Sequence, residues 1–341
     1  MVQIVSTNVL INGLRTEFAD TYTSIRNRQA DGRLGNVMDL GVGATNRYHD
    51  FAYFNAAPHM ELWRRGDPIP QDAMDAVRFT AYVYEWGRRV QWSKWDREDD
   101  QTQSLMDAAR MAGQSAALLP ERFFFDLLTG GTTTLPVVPN APDGAAFFQA
   151  TNGAGGDRFG LSGGNLISGT GYALPGQILA DYYTAIGRFM RFQDGKGQPL
   201  LSPELVANGV TILFNAANLQ VFEQAFLQMR QGMTLTNAGS TTTASGIVGG
   251  VQVSNVVQDS ARNVTLWPTA RITDNDWYIF LNQSPKKSTF LMNRKGILEL
   301  TSLEGDNNSD LTRTSAIEYM QWETRQGAGI ALPYGAIKVD L

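Results

Sequence analysis

The amino-acid sequence predicts an α+β fold built from discontinuous lobes, and three observations carry that expectation. A long helical pattern covers residues 98–131, after strand-like runs rich in aromatics. Strand-like runs then fill the chain from Ile247 onward. Helices and strands elsewhere do not alternate in the βαβ manner, and no internal repeat of the kind that marks solenoids is present.

In residues 1–44, Leu10, Leu14, Phe18, Tyr22 and Ile25 recur at helical spacing, and a polar, glycine-containing stretch follows from Gln29 to Gly43. Two readings stay open: a helix packed on its own core, or an arm reaching a second copy of the chain. On the second reading Leu10, Leu14 and Phe18 are candidate contacts. Residues 45–96 read as strands around a long excursion. Arg78–Trp86 is rich in Phe, Thr, Tyr and Val, and Arg88–Trp95 continues after Gly87. The excursion contains RRGDPIPQDA, Arg64–Ala73, whose prolines and mixed charges suit an exposed tip. Arg64, Arg65 and Asp67 are candidate contacts there.

The helical pattern begins with Glu98, Asp99 and Asp100, where unpaired N–H groups and the helix dipole favour negative charge. Leu105, Ala109, Ala112, Ala116 and Leu119 form one face, made mostly of small residues, so another backbone can lie close against it. Pro120 restarts the helix, Phe123 and Leu127 continue the stripe, and Gly130-Gly131 ends it. Residues 132–176 are loop-like, with nine glycines in the 26 residues from Thr151. Gln177–Phe192 reads as an amphipathic helix with Ile178, Tyr182, Ile186 and Phe189 inward. Val210–Phe214 reads as a strand, Leu219–Met229 as a helix and Thr234–Gly246 as a flexible loop. Strands are expected at 247–257, 264–273, 277–282, 288–293, 297–301 and 314–325.

Composition narrows function. The 341 residues are 43% hydrophobic, enough for a substantial core. A net charge of −5 without a long run of one sign argues against a dedicated nucleic-acid binder. The cations comprise 22 Arg and 6 Lys, which suits interfaces and equally suits a GC-rich genome. The absence of Cys removes disulfides, thiolate nucleophiles and Cys-ligated zinc. No apolar run is long enough to span a bilayer, and no signal-peptide pattern follows Met1.

Candidate chemistry is thin. Gly160-Leu161-Ser162-Gly163-Gly164 fits a nucleophile elbow, but both flanks are glycine-rich, and His49 and His59 precede the serine. Asp306, Asn308 and Asp310 open like a calcium loop, yet Leu311 stands at the sixth position and Ile317 at the twelfth, so a solvated turn is the default. His49 and His59 lack a carboxylate at metal-ligand spacing. Gly153-Ala154-Gly155 lacks the third glycine of a dinucleotide loop and a preceding strand. Arg65-Gly66-Asp67 reads as a charged turn, and the sequon at Asn263 matters only in a secretory pathway. No catalytic residue and no cofactor are expected.

Several segments together resemble the Mu-like phage major head subunit family. They are Leu14–Phe18 (LRTEF), Ala116–Gly131 (AALLPERFFFDLLTGG), Asp143–Phe148 (DGAAFF) and Met190–Pro203 (MRFQDGKGQPLLSP). Trp277-Tyr278, Pro285-Lys286, and Tyr319 with Arg325, Gly327 and Gly329 complete the set. The likeness lies in their order and spacing; the tract from Gln149 to Gly160 departs from it. The resemblance implies a Hong Kong 97-type capsid fold. Its parts would be an N-terminal arm (1–44), an extended β-hairpin loop that laps onto a neighbour (45–96), a peripheral domain (97–175 and 283–341) with a spine helix at 99–119, and an axial domain (176–282). It also implies assembly into hexamers and pentamers of an icosahedral shell, with portal and scaffold proteins, a decoration protein and packaged double-stranded DNA as partners, and no membrane. The expected location is the virion, and the host cytoplasm during assembly. Three alternatives differ in kind: an encapsulin-like nanocompartment shell, a soluble hydrolase using Ser162, and a phage tail or carbohydrate-binding protein.

Overall fold

The structure is a computed structural model that describes residues 7–54, 76–93, 95, 104–231, 264–282, 286–295, 301–302 and 317–341. In chain order the elements begin with α1 (Thr7–Ala30), α2 (Arg33–Val37), β1 (Met38–Gly43), β2 (Tyr48–Phe54), β3 (Ala76–Tyr82), β4 (Tyr84–Ser93), α3 (Ser104–Ala117) and α4 (Leu119–Thr129). They continue with β5 (Leu166–Ser168), α5 (Pro175–Phe189), α6 (Pro203–Ala207), β6 (Val210–Asn215), α7 (Leu219–Gln231), β7 (Val264–Thr269) and β8 (Trp277–Leu281). The last are β9 (Thr289–Lys295), β10 (Thr301–Ser302), β11 (Ile317–Ile330) and β12 (Ala336–Asp340). The chain forms two compact units. The first takes residues 1–51, 78–139 and 289–329; the second takes 52–77, 140–288 and 330–341.

The first unit is organised by β11, which borders β9, β10 and β4. Its antiparallel register with β4 runs unbroken from Ile317↔Ser93 to Gln326↔Tyr84. β1 adds a parallel edge on β9 with a register shift between Asp39 and Val42. Residues 29–43 are therefore not the polar tail expected: α2 and β1 fill much of that span, and Val37 and Met38 are buried. The reason is a period of two in which Met38, Leu40 and Val42 alternate with Asp39, Gly41 and Gly43. Thr289 and Asn293 of β9 also donate side-chain hydrogen bonds to the carbonyls of Val37 and Leu40, both at 3.1 Å.

The helical pattern of residues 98–131 contains two helices, with the break at the expected restart. α3 ends at Ala117, and α4 restarts with Pro120 in its first turn, where a missing N–H costs nothing. α4 stops at Gly130, whose φ of 68° is the left-handed cap that glycine adopts without strain. Asp126, buried on α4, accepts the backbone N–H groups of Thr134 and Leu135, both at 2.6 Å, and so fixes the departing chain.

The small face of α3 holds α1. Leu14 and Phe18 are buried against Ala109, Ala112 and Trp322. A Cβ at Gly113 would stand 2.7 Å from the Phe18 carbonyl oxygen, closer than van der Waals contact allows. An ion pair between Arg110 and Glu17 flanks the seam. Of the candidate contacts with a second copy, Leu14 and Phe18 are thus covered within their own chain, because the α3 stripe admits a helix backbone. Leu10 lies on α1, and its side chain is outside the described residues.

The second unit is a mixed sheet in the order β5-β12-β8-β6-β7. β6 and β8 are buried nearly throughout, as the apolar run of β8 and the mostly apolar β6 require, and the buried Thr211 hydroxyl of β6 donates to Asn282 Oδ1. Residues on α5 and α7 complete the core with Ile178, Tyr182, Ile186, Phe189 and Phe222. Phe214 and Phe222 stack at 3.9 Å, and Trp277 meets Phe222 edge-on at 5.5 Å. β5 pairs with β12, which pairs with β8, so residues 166–168 and 336–340 join this sheet.

Candidate assembly surfaces

β2 and β3 form a two-stranded ribbon whose base is set by the Val83 N–H donating to the Arg47 carbonyl at 2.8 Å. The period of two sorts its side chains onto two faces. On one face Phe51 stacks on Phe79 at 5.1 Å and leans on Phe290 at 4.7 Å, with His49 edge-on to Phe51 at 4.5 Å. The other face is polar and open. Asp50 accepts hydrogen bonds from Arg78 and, at 2.6 Å, from Thr80. The Arg78 and then the Thr80 hydrogen bonds hold the Asp50 carboxyl below its ordinary range. Beside this pair Tyr48 and Tyr82 are 51% and 54% exposed, an unusual amount for two tyrosines on one ribbon. The excursion beyond the ribbon, with Arg64, Arg65 and Asp67, lies outside the described residues.

In the second unit a buried polar network fixes the glycine-rich tract. Arg158 is 1% exposed and donates through Nε (2.6 Å) and Nη2 (3.0 Å) to the two oxygens of Asp143. Its Nη1 donates to the carbonyls of Ala146 and Phe147, both at 2.9 Å, and to Asn165 Oδ1 at 3.0 Å. Asn165 in turn donates through Nδ2 to the carbonyls of Phe147 (2.8 Å), Pro333 (3.1 Å) and Ala336 (3.3 Å). Phe159 sits at φ 56°, uncommon for a residue with a Cβ, and is held by the Arg158 guanidinium 5.0 Å from its ring and by Phe192 at 5.2 Å. A buried Arg with every donor nitrogen engaged serves structure, and it accounts for a tract that composition alone marks as irregular.

A second charged cluster ties down the C-terminus. Lys338 on β12 bridges Asp276 at 2.6 Å and Asp340 at 2.9 Å, and Asp276 also accepts the Leu341 N–H at 3.0 Å. Burial opposes the charged Lys338, but its hydrogen bonds to the two carboxylates outweigh it and raise its pKa. Burial raises the pKa of neighbouring Tyr278 as well.

The candidate chemistry is not assembled. Ser162 is exposed in a run of turns, with neither a strand before it nor a helix after it, so the elbow geometry is absent. Asn152 folds the Gly153-Ala154-Gly155 segment locally, its Oδ1 accepting from Ala154 N and Gly156 N. Asp306, Asn308, Asp310 and His59 lie outside the described residues. Among the described residues no group of three His, Cys, Asp or Glu side chains is placed to hold a metal, and no helix is long and apolar enough to cross a membrane.

Comparison with known proteins places this architecture. The model of a family described as "Phage capsid protein" matches residues 77–339. No curated protein matches the sequence. Among solved structures, the capsid of Cyanophage P-SCSP1u superposes with a TM-score of 0.52 at 11% identity, covering 90% of this chain and 87% of that one. The mature capsid of bacteriophage PhiM1 gives 0.52 at 10% identity, covering 90% and 86%. The capsid of Myoviridae phage XM1 gives 0.51 at 10% identity, covering 90% of each chain. At these identities the likeness is one of fold.

Proposed function

The chain belongs to the phage capsid protein family, and from that premise we propose how its parts build a head shell. It is a major capsid protein with the Hong Kong 97-type α+β fold, a structural subunit of the virion and not an enzyme. The observation that carries this is a family match over residues 77–339, which reaches into both compact units, joined to a fold shared with assembled capsids over 90% of the chain.

In the proposed arrangement residues 97–175 and 283–341, with α3 and α4, are the peripheral domain. Residues 176–282 are the axial domain, and residues 234–246, which lie outside the described residues, are the proposed loop near the symmetry axis. The excursion carried by β2 and β3 laps onto a neighbour, supported by an exposed ribbon face with Tyr48 and Tyr82. Heterologous contacts of this kind close into hexamers and pentamers, and their stability depends on subunit concentration. Portal, scaffold and decoration proteins are the proposed protein partners, with assembly in the host cytoplasm. Packaged DNA would be held without sequence specificity, in keeping with a net charge of −5 and no long basic run. The family assignment favours this over an encapsulin-like compartment, and the exposed turn at Ser162 gives a hydrolase no elbow.

Electron microscopy and sedimentation of the purified chain across a concentration series test the proposal. Hexamers, pentamers or closed shells with icosahedral symmetry are expected as concentration rises. A monomer at every concentration, or small trimeric rings of the tail-protein kind, would overturn it.

A further inference from the structure

The sequence contains three Asn-Gly pairs: Asn12-Gly13, Asn152-Gly153 and Asn208-Gly209. Glycine after asparagine leaves the backbone nitrogen unshielded by a Cβ, so that nitrogen can reach the side-chain amide carbon when the backbone is free to rotate. The fold treats the three pairs differently.

Asn12-Gly13 lies inside the 24-residue α1, and a Cβ at Gly13 would stand 2.8 Å from Met106 Cε, so this stretch is both helical and packed. At Asn152-Gly153 the reacting groups are occupied. The Gly153 N–H donates to the Asp143 carbonyl at 3.2 Å, and Asn152 Oδ1 accepts from Ala154 N at 3.0 Å and Gly156 N at 2.9 Å. The Gly153 backbone is also wedged, since a Cβ there would be 2.7 Å from the Asp143 carbonyl oxygen. Asn208 instead caps the five-residue α6, is exposed, and has φ −65° and ψ −14°. Its backbone N–H donates to the Glu204 carbonyl at 3.1 Å, a last-turn bond of a very short helix. Such ends open at low cost. Gly209 has φ 125°, so this position requires glycine and the reactive pair is built into the exit toward β6.

We propose that Asn208 is a site of spontaneous, structure-directed deamidation. The Gly209 backbone nitrogen attacks Asn208 Cγ and gives up its proton to solvent base. A new C–N bond forms, the Cγ–Nδ2 bond breaks, and ammonia leaves. Water then opens the cyclic imide at either carbonyl, giving aspartate or isoaspartate. Both products put a carboxylate at the C-terminal end of α6, where the helix dipole disfavours it. Isoaspartate also lengthens the backbone by one atom just before Val210, which pairs with Val264 and Leu281. In a particle that does not turn over its subunits, the modification would record age.

The test is peptide mapping by mass spectrometry, with enzymatic methyl labelling of isoaspartate, on the full chain incubated in mildly alkaline buffer. Conversion at Asn208 is expected to run about tenfold or more faster than at Asn12 and Asn152, because a fraying end opens far more often than a helix interior or a bonded loop. In urea all three should convert at similar rates, which separates fold protection from sequence. Asn208→Ser should abolish the labelled product at that peptide and leave the other two unchanged. Equal rates at all three sites in the folded chain, or no conversion at Asn208 while the urea sample reacts, would overturn the proposal.

Discussion

Replacing Arg158 with Met would remove a buried cation while keeping much of its volume. Five donated hydrogen bonds are lost, two to Asp143 and three to Ala146, Phe147 and Asn165. The Phe147 carbonyl keeps its bond from Asn165, so the stranded groups are the Asp143 carboxylate and the Ala146 carbonyl. Removing one partner of a buried ion pair costs roughly 3–5 kcal/mol. The Asp143 side chain is 15% exposed and retains the Ala145 N–H at 3.3 Å, which lowers the expectation to about 3 kcal/mol. With a urea dependence of about 2 kcal/mol per molar, the midpoint of the second unit should fall by roughly 1.5 M. Urea titration read by tryptophan fluorescence, with hydrogen exchange at the Lys338 N–H bonded to the Asn165 carbonyl, would measure it. Adding Asp143→Ala removes the stranded charge, so the double variant should lose about 2 kcal/mol less than the sum of the single losses. A loss below about 1 kcal/mol for Arg158→Met, or strictly additive losses, would show that the network is solvated and refute the reasoning.

Ala112→Trp should overpack the α1–α3 seam, where Ala112 is 6% exposed beside Leu14 and Phe18, costing about 3 kcal/mol or releasing α1 to proteolysis; an unchanged melting transition would mean that face is open. The second unit should lose stability as pH rises above about 10, because Lys338 and Tyr278 both hold their protons in the folded state at pH values where the unfolded chain releases them. Stability from Lys338 is full below its unfolded pKa and fades as pH climbs through the higher folded value; Lys338→Met and Tyr278→Phe should each flatten the alkaline slope in a pH series of thermal melts. Deleting residues 62–74 should leave a folded subunit by circular dichroism that makes no shells, and normal shells in micrographs would reject the lapping-loop assignment.

The helices and central strands of the second unit were legible because each obeys one period over its whole length. Ile178, Tyr182, Ile186 and Phe189 mark a single helical face, WYIFL is an unbroken apolar run, and VTILFN is apolar at Val210, Ile212, Leu213 and Phe214. β1 was obscured because Asp39, Gly41 and Gly43 occupy its open side, so its composition resembles a linker. β12 is only five residues long and follows a 3₁₀ turn at Pro333–Gly335. The network around Arg158 leaves no pattern at all. Its partners lie 15, 12, 11 and 7 residues away, at no shared period, and an Arg in a glycine-rich tract is ordinarily solvated. Burial of that kind is decided by tertiary closure, which local sequence does not encode.

The small-residue face of α3 shows where the two levels part. Its stripe of alanines, joined by Gly113, dictates that some backbone must approach closely, and the approach at Gly113 to the Phe18 carbonyl is such a contact. The stripe does not say whose backbone arrives. In this fold it is α1 of the same chain, which buries Leu14 and Phe18 and pairs Glu17 with Arg110. A helix so engaged covers Leu14 and Phe18, so further shell contacts are sought on surfaces that the described residues leave open. Among the described residues the polar face of the β2–β3 ribbon is such a surface. There Asp50, Arg78 and Thr80 are already paired with one another, while Tyr48 and Tyr82 keep about half their area exposed. Tyrosine combines apolar area with a hydroxyl and few rotatable bonds, so covering two of them yields contact energy at small entropic cost.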